Sequence, residues 1–165
     1  MKTILIAAVD QNLALGVSGN LLFRIPEDLK LFKGLTTGHV VLMGRKTFES
    51  LGCKPLPDRV NIVISTTKKY DDDGMITFES LTTAIEYSKH SFPDKDLYVV
   101  GGGRVYEESL KYADEVILTR YDRAYEDVDT YFPAVPETEF REEKTLLEGS
   151  FEDCKYRTIV LHRVI

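Results

Sequence analysis

The chain is organised around the stretch Leu21-Leu22-Phe23-Arg24-Ile25-Pro26-Glu27-Asp28-Leu29-Lys30-Leu31-Phe32-Lys33. Pro26 indicates the first turn of a helix, because the N–H that proline lacks has no partner at that position anyway. Leu29 and Phe32 follow at helical spacing and give this helix an apolar stripe. The spacing predicts a helix from Pro26 to about Gly34.

An acidic residue lies beside that stripe. Asp28 stands one position before Leu29 and four before Phe32. It is either a first-turn charge that the helix dipole stabilises or a buried functional carboxylate. Spacing alone favours the first interpretation, and residues elsewhere in the chain are needed to distinguish the two.

Length and charge limit the class of protein. The chain has 165 residues and a net charge of −6 at pH 7. This length predicts one domain over residues 1–165 with a single substantial core. The mixture of apolar and charged residues is typical of a folded globular protein. The acidic balance does not favour nucleic acid or an anionic membrane as a partner.

Cysteine and histidine usage indicates neither a metal site nor a disulfide framework. Cys53 and Cys154 have no metal-ligand spacing, and the three histidines are scattered. The first apolar run, Ile4–Val9, is too short for a secretory signal or a membrane span and predicts a buried strand. We therefore expect a reducing, cytoplasmic setting and no metal.

Strand-like and helix-like segments alternate along most of the chain. The predicted strands are Ile4–Val9, Val40–Met43, Asn61–Ser65, Ile76–Phe78, Leu97–Val100 and Val116–Thr119. The other predicted helices are a short one ending at Leu51, one capped by Ser80 with Leu81, Ala84, Ile85 and Ser88 on one face, and Arg104–Ala113. Such alternation predicts an α/β fold with a mostly parallel central sheet and helices on both faces.

Two further segments interrupt this alternation. Residues Asp10–Phe23 contain Gly16, Ser18, Gly19 and Asn20 together with apolar side chains, which suggests a long loop acting as a lid. Near the C-terminus, Lys144–Leu147 and Tyr156–Val164 predict an antiparallel hairpin joined across Gly149.

Two glycine-containing corners connect predicted strands to helices. In Gly101-Gly102-Gly103-Arg104, glycines allow a ligand to approach the backbone and a helix N-terminus attracts phosphate. The alternative is a tight turn without a ligand, and Tyr106 stands where a dinucleotide fingerprint needs Gly or Ala. Gly44-Arg45-Lys46-Thr47 is either a phosphate clamp or a solvated basic turn, and it is not a P-loop. On parallel strands the two corners share one sheet edge, which together favours a large phosphorylated ligand.

Catalytic groups of other enzyme classes are missing from the sequence. It contains no recognisable Ser-His-Asp set, metal cluster or nucleophile elbow. We therefore expect a cofactor to supply the chemistry.

Several motifs occur in a specific order over nearly the whole chain. They are Leu15-Gly16, Leu21–Phe32 with Pro26 and Asp28, Met43-Gly44-Arg45-Lys46-Thr47-Phe48-Glu49-Ser50-Leu51, Pro55-Leu56-Pro57-Asp58-Arg59, Val100-Gly101-Gly102-Gly103-Arg104-Val105-Tyr106, and Asp129-Thr130-Tyr131-Phe132-Pro133. Each motif is common alone, but in this order and spacing they are very specific. The chain resembles the dihydrofolate reductase family.

The resemblance implies a single dihydrofolate reductase-like domain and a reaction that supplies one-carbon metabolism. Hydride would pass from NADPH to C6 of 7,8-dihydrofolate, with a proton added at N5, to give 5,6,7,8-tetrahydrofolate. Antifolate inhibitors would be further ligands, and the protein would be a monomer. The Gly101–Gly102 peptide bond would be cis.

The resemblance also implies residue roles. The catalytic positions would be Asp28, Leu21, Phe23, Tyr106 and Thr119. Asp28 would pair with the pterin ring, and Thr119 would support Asp28 through hydrogen bonds. The substrate-binding positions would be Ile6, Ala8, Asp28, Leu29, Phe32, Leu51, Val100, Thr119 and Arg59, the last holding the glutamate carboxylate. The cofactor-binding positions would be Ala8, Leu15, Gly16, Leu21, Gly44, Arg45, Lys46, Thr47, Ser65, Thr66, Val100, Gly102, Gly103, Arg104, Val105 and Tyr106.

The chain departs from the family pattern at a few positions. Phe23 stands where the family nearly always has Trp, and Leu22 where it usually has Pro. Val128 replaces a glycine common before the Asp-Thr pair, and the turn around Cys53-Lys54 is one residue longer than in common bacterial members. We expect these changes to affect turnover and lid dynamics and to leave the reaction class unchanged.

Two other functions are compatible with such a chain. A related pyrimidine or pterin reductase would keep the fold, but it would not explain both Asp28 and a distal arginine, Arg59. A non-catalytic nucleotide-binding module would explain Phe23 but not the intact Asp28 and Thr119.

Overall fold

An eight-stranded sheet forms the centre of the computed structural model, which describes residues 1–17 and 20–165. Its strands are β1 (Thr3–Val9), β4 (Val40–Gly44), β5 (Val60–Ile64), β6 (Ile76–Phe78), β7 (Leu97–Val99), β8 (Glu115–Tyr121), β10 (Phe140–Phe151) and β11 (Cys154–Arg163). Their order is β10-β11-β8-β1-β7-β4-β5-β6. From β8 to β6 neighbouring strands are parallel, whereas β10 and β11 are antiparallel. The predicted fold class is confirmed.

Helices cover both faces of this sheet. They are α1 (Pro26–Thr36), α2 (Arg45–Ser50), α3 (Leu81–Ser91) and α4 (Gly103–Ser109). Phe32 and Leu35 of α1 pack on one face with Phe48 of α2. On the other face, Ala84 of α3 and Tyr106 of α4 belong to a second core cluster. None of the described helices combines the length and apolar character needed to cross a membrane.

The predicted helices form with small changes at their ends. In α3 the four residues predicted to share a face are all buried, and Ser80 Oγ accepts a hydrogen bond from the Thr83 N–H at 3.3 Å. Helix α1 continues past Gly34 to Thr36. The prediction of one helix to Ala113 is wrong, because α4 ends at Ser109 and a 3₁₀ turn follows.

The C-terminal hairpin is longer than predicted and turns at a different place. Strands β10 and β11 meet at Glu152 and Asp153, which have φ angles of +49° and +66°. Gly149 lies within β10 opposite Tyr156, so the predicted joint is wrong. A Cβ at Gly149 would lie 2.6 Å from the Tyr156 hydroxyl oxygen. Glycine at this position therefore leaves room for an aromatic ring rather than making the turn.

The segment predicted as an irregular loop contributes to a second sheet. Its strands are β2 (Ala14–Val17), β3 (Asn20–Leu21) and β9 (Thr130–Tyr131), in the order β3-β2-β9. The carboxylate of Asp10 is buried and accepts hydrogen bonds from the backbone of Asn12, Ala14 and Tyr125. The part of the lid prediction that concerns Ser18 and Gly19 lies outside the described residues, and lid movement stays a prediction.

Candidate active site

The two glycine corners meet at the carboxyl edge of the parallel strands. Strands β7, β4 and β5 are consecutive neighbours in the sheet. The Gly44 N–H donates to the Gly101 carbonyl oxygen at 2.9 Å, which joins one corner to the other. The Gly101–Gly102 peptide bond is cis, as predicted. The expectation that both corners share one edge is therefore confirmed.

Backbone conformation at Gly101 and close packing at Gly103 explain the absence of side chains there. Gly101 has a φ of +123°, and a Cβ on it would lie 3.5 Å from both the Thr47 hydroxyl and the Tyr106 ring. A Cβ on Gly103 would lie only 2.8 Å from the Thr130 side chain of β9. The second sheet therefore packs directly against the corner that starts α4.

Two of the basic side chains at this edge form ion pairs with carboxylates. Arg45 forms an ion pair with Glu49 at 2.8 Å, and the Tyr70 hydroxyl donates to the other Glu49 oxygen at 3.0 Å. Burial, followed by this contact with Glu49, raises the pKa of Tyr70. Arg104 is exposed and pairs with Glu108. Sequence reasoning proposed these cations but missed their carboxylate partners, since i,i+4 pairs on short helices carry no distinctive signal.

The residues predicted after β5 adjoin the same edge. Ser65 is buried, and its hydroxyl oxygen accepts a hydrogen bond from the Lys68 N–H at 3.1 Å. Thr66 and Lys46 are exposed. All three therefore lie on segments that follow the carboxyl ends of β4 and β5.

Asp28 is a half-buried carboxylate joined to the sheet. It lies in the first turn of α1, and its Oδ1 accepts a hydrogen bond from Thr119 Oγ1 of β8 at 2.7 Å. Burial raises the pKa of Asp28, and the hydrogen bond from Thr119 opposes that rise. Both interpretations of the sequence therefore hold in part. The position suits the helix dipole, but the environment is that of a functional group.

Tyr106 connects this region to the glycine corner. Its hydroxyl donates to the Ile6 carbonyl oxygen at 2.7 Å, and its ring contacts Phe132. Burial raises the pKa of Tyr106, and the charge of Asp28 raises it further. The hydroxyl is therefore a neutral donor near the carboxylate.

Apolar side chains predicted to contact ligand rings fall into two groups. Ile6 and Leu15 are buried, and Phe32 and Val100 pack against the same cluster as Ile6. By contrast, Leu21, Leu29 and Leu51 are 54%, 42% and 39% exposed. These three leucines lie on separate elements, namely β3, α1 and the residue that follows α2, and each leaves apolar surface accessible.

Phe23 belongs to an aromatic cluster that the sequence did not reveal. Its ring centroid lies 4.9 Å from that of Tyr121 and 5.9 Å from that of Tyr125. Buried Ile25 and Tyr156 belong to the same apolar cluster. Phe23 is therefore a partly buried member of this aromatic cluster.

Arg59 is held at the far end of α1. Its Nη1 donates to Thr36 Oγ1 at 3.0 Å, and its Nε donates to the Pro57 carbonyl oxygen at 2.8 Å. Burial lowers the pKa of Arg59, while Asp58 opposes that effect. Among the described residues, Arg59 takes part in none of the salt bridges. A desolvated guanidinium with three N–H groups unused is a suitable partner for an anion.

Comparisons with known proteins agree with this geometry. The sequence profile described as Dihydrofolate reductase matches residues 2–163. The chain belongs to the dihydrofolate reductase family. The dihydrofolate reductase of Neisseria meningitidis serogroup B is 37% identical over 157 residues, covering 94% of each chain. A Haloferax volcanii protein named dihydrofolate reductase HdrB is 39% identical over 139 residues, covering 81% of this chain and 71% of its own length. The Bacillus subtilis dihydrofolate reductase is 35% identical over 136 residues, or 82% and 78% of the two chains.

The structure brings together Asp28 and Thr119, the pair to which the family resemblance gives a joint role. It also reveals partners that the motifs did not indicate. Thr36 orients Arg59, and Thr158 of β11 contacts Thr119. Neither threonine has a local signal, because each acts through a residue distant in the sequence.

A separate cluster of possible metal ligands lies on the strands at the antiparallel end of the sheet. The ligand atoms of Glu115, Glu143 and His162 all lie within 4.8 Å of one another. Spacing could not show this cluster, because strand pairing places His162 opposite Glu115. Lys2 Nζ already forms an ion pair with Glu115 at 3.1 Å.

Proposed function

We propose that this site reduces 7,8-dihydrofolate to 5,6,7,8-tetrahydrofolate and that its reductant is NADPH. NADPH, when bound, supplies the hydride that is added at C6, and a proton from solvent ends on N5. The observation that carries this proposal is the placement of two groups beside one helix: the half-buried carboxylate of Asp28 near its start, and the guanidinium that Thr36 holds near its end.

Helix α1 sets the distance between these two groups. Asp28 and Thr36 are eight positions apart, with Phe32 midway between them. At a rise of 1.5 Å per residue, they lie roughly 12 Å apart along the helix axis. The spacing i, i+4, i+8 places the three residues on one side of the helix. A ligand lying there would meet a carboxylate, an apolar ring and then the guanidinium that Thr36 holds.

Dihydrofolate has complementary groups in the same order. Its pterin ring offers N–H donors to Asp28, its aromatic linker suits Phe32, and its glutamate carboxylate suits Arg59. A pyrimidine or a pterin without a tail would leave the guanidinium unpaired, which favours folate over those substrates.

Asp28 would favour the reactive form of the ring. Burial makes its ionised form costly unless a cationic partner is present. A pterin protonated at N5 is such a partner, and it is the form that accepts hydride at C6. Asp28 therefore stabilises positive charge on the ring.

The cofactor would lie across the glycine corners. The positive φ of Gly101 and the crowding at Gly103 leave backbone rather than side chains at this edge, which allows close approach. We assign Thr47 to the nicotinamide side, residues 102–106 to the pyrophosphate, and Arg45 and Thr66 to the 2′-phosphate. Arg45 pairs with Glu49 through Nη1, and its remaining N–H groups can donate to a phosphate.

The test is a spectrophotometric assay of the purified full chain with dihydrofolate and NADPH. We expect one NADPH to be consumed per dihydrofolate, and slower reduction of a dihydropterin that lacks the glutamate tail. A folded protein that binds both ligands but consumes no NADPH would overturn the proposal and favour the non-catalytic module.

A further inference from the structure

A second buried hydroxyl lies behind the Asp28–Thr119 pair. Thr158 Oγ1 is 2.6 Å from Thr119 Oγ1, and neither threonine is accessible to solvent beyond 2%. The two residues face each other directly across the antiparallel pair of β11 and β8. The three side chains therefore form a continuous line from the sheet to the carboxylate.

The hydrogen bonds in this line have one direction. An ionised carboxylate can only accept, so the single hydroxyl proton of Thr119 points to Asp28. Thr119 then has no proton left for Thr158, which must donate to it. Among the described residues, Thr158 Oγ1 has no other hydrogen-bond partner.

We propose that Thr158 is a positioning residue for the reaction, acting through Thr119 to stabilise the ionised carboxylate of Asp28 and to fix its Oδ1. Its hydroxyl polarises the Thr119 O–H, because consecutive hydrogen bonds strengthen one another in a buried site. With Oδ1 held in this way, Oδ2 is left to face the ligand. The inference rests on the proposed role of Asp28 in binding substrate.

Other polar groups around Asp28 do not take the place of the Thr158 and Thr119 hydroxyl groups. Titratable and charged groups on the surrounding elements include Glu27, Lys30 and Lys33 on α1, Tyr106 on α4, Arg120 and Tyr121 on β8, and Tyr156 and Arg157 on β11. Glu27 and Lys30 pair with each other at the surface. Arg120 and Arg157 alternate with the two threonines and so face the other side of the sheet. Tyr106 and Tyr121 donate to backbone carbonyl groups.

The test measures the titration of Asp28 in the ligand-free protein by carboxyl carbon NMR. Thr158→Val removes the hydroxyl, and Thr158→Ser retains it as the matched control. If cooperative strengthening is 10–30% of a charge-assisted bond, the Val variant should titrate roughly 0.1–0.7 pH unit higher than the wild type. The Ser variant should titrate within about 0.1 pH unit of the wild type.

A double-mutant cycle separates this role from a merely structural one. Thr119→Val should raise the titration midpoint more than Thr158→Val does, and combining the two should add nothing further. If the Val variant packs poorly, Thr158→Ala gives the same comparison in a smaller side chain. Additive shifts, or an unchanged midpoint in a folded Val or Ala variant, would overturn the inference.

The pH dependence of activity provides an independent test. The limb of the kcat/KM–pH profile that reports Asp28 should move upward by the same amount as the NMR midpoint. Because the NMR experiment needs no substrate, a shift there without dihydrofolate reduction would contradict the proposed function alone. Matching profiles for Thr158→Val and wild type would contradict the positioning role.

Discussion

Replacing Asp28 with asparagine should remove most activity at neutral pH without preventing folding. Asparagine is nearly isosteric and keeps an oxygen for the Thr119 hydroxyl, which now lies 2.7 Å from Oδ1. It loses the negative charge that would accept two ring N–H groups. Each charge-assisted bond contributes roughly 1.5–3 kcal/mol, so two of them correspond to about 10²–10⁴-fold in kcat/KM.

The loss should depend on pH in a specific way. At low pH, solvent protonates more of the pterin, so the reaction depends less on the charge of Asp28. The ratio of wild-type to variant kcat/KM should therefore decrease. The assay is steady-state NADPH consumption across the pH range in which both proteins stay folded. Glu27→Gln is the matched control, because it removes the neighbouring carboxylate, which is exposed and, within the described part of the chain, pairs with Lys30 alone.

Stability should change in the opposite direction to activity. Because burial raises the pKa of Asp28, the folded protein binds more protons than the unfolded chain between the two pKa values. Its free energy of unfolding therefore falls as the pH rises through that window, and above it the ionised carboxylate costs stability. Asp28→Asn should raise Tm at neutral pH and lose this advantage below the pKa of the unfolded chain. Equal activity losses at every pH, or a lower neutral-pH Tm, would refute this reasoning.

Three other substitutions test the remaining parts of the site. Arg59→Ala should raise KM for dihydrofolate roughly 10–100-fold, through loss of a charge-assisted contact, and leave the KM of a tail-less dihydropterin unchanged. Arg45→Ala should weaken the binding of NADPH by a similar factor and leave the binding of NADH unchanged, as measured by fluorescence titration. Equal weakening of both cofactors would assign Arg45 to the pyrophosphate. Phe23→Trp should lower stability by about 1–3 kcal/mol, because Tyr121 and Tyr125 already fill the space around the ring, and change turnover no more than several-fold. A rate gain of several orders of magnitude would instead identify a decayed active site.

Local sequence signals predicted most of the architecture that positions the site. Buried parallel strands are continuous apolar runs, and Val40–Met43 and Leu97–Val99 could be recognised without knowing their partners. Pro26 and Ser80 marked helix starts because each fits a specific terminal position. The shared edge of the two glycine corners followed from strand direction alone.

Features that depend on contacts distant in the sequence were not predictable in the same way. Strand β9 has only two residues and exists because it pairs with β2, so Asp10–Phe23 looked irregular. Gly149 resembled a turn residue because nothing local indicates that the Tyr156 ring lies over it. Thr158 is one of several inward-facing residues of β11, and only its pairing with Thr119 shows why a hydroxyl matters there.

Hydride transfer from NADPH to C6 of dihydrofolate is the central claim, and isotope tracing tests it most directly. The purified chain would be incubated with dihydrofolate and NADPH carrying deuterium at the transferable C4 position, and the product examined by NMR. We expect tetrahydrofolate with one deuterium at C6 and none at N5 after exchange with solvent. Deuterium at another carbon, or unlabelled product, would contradict the account.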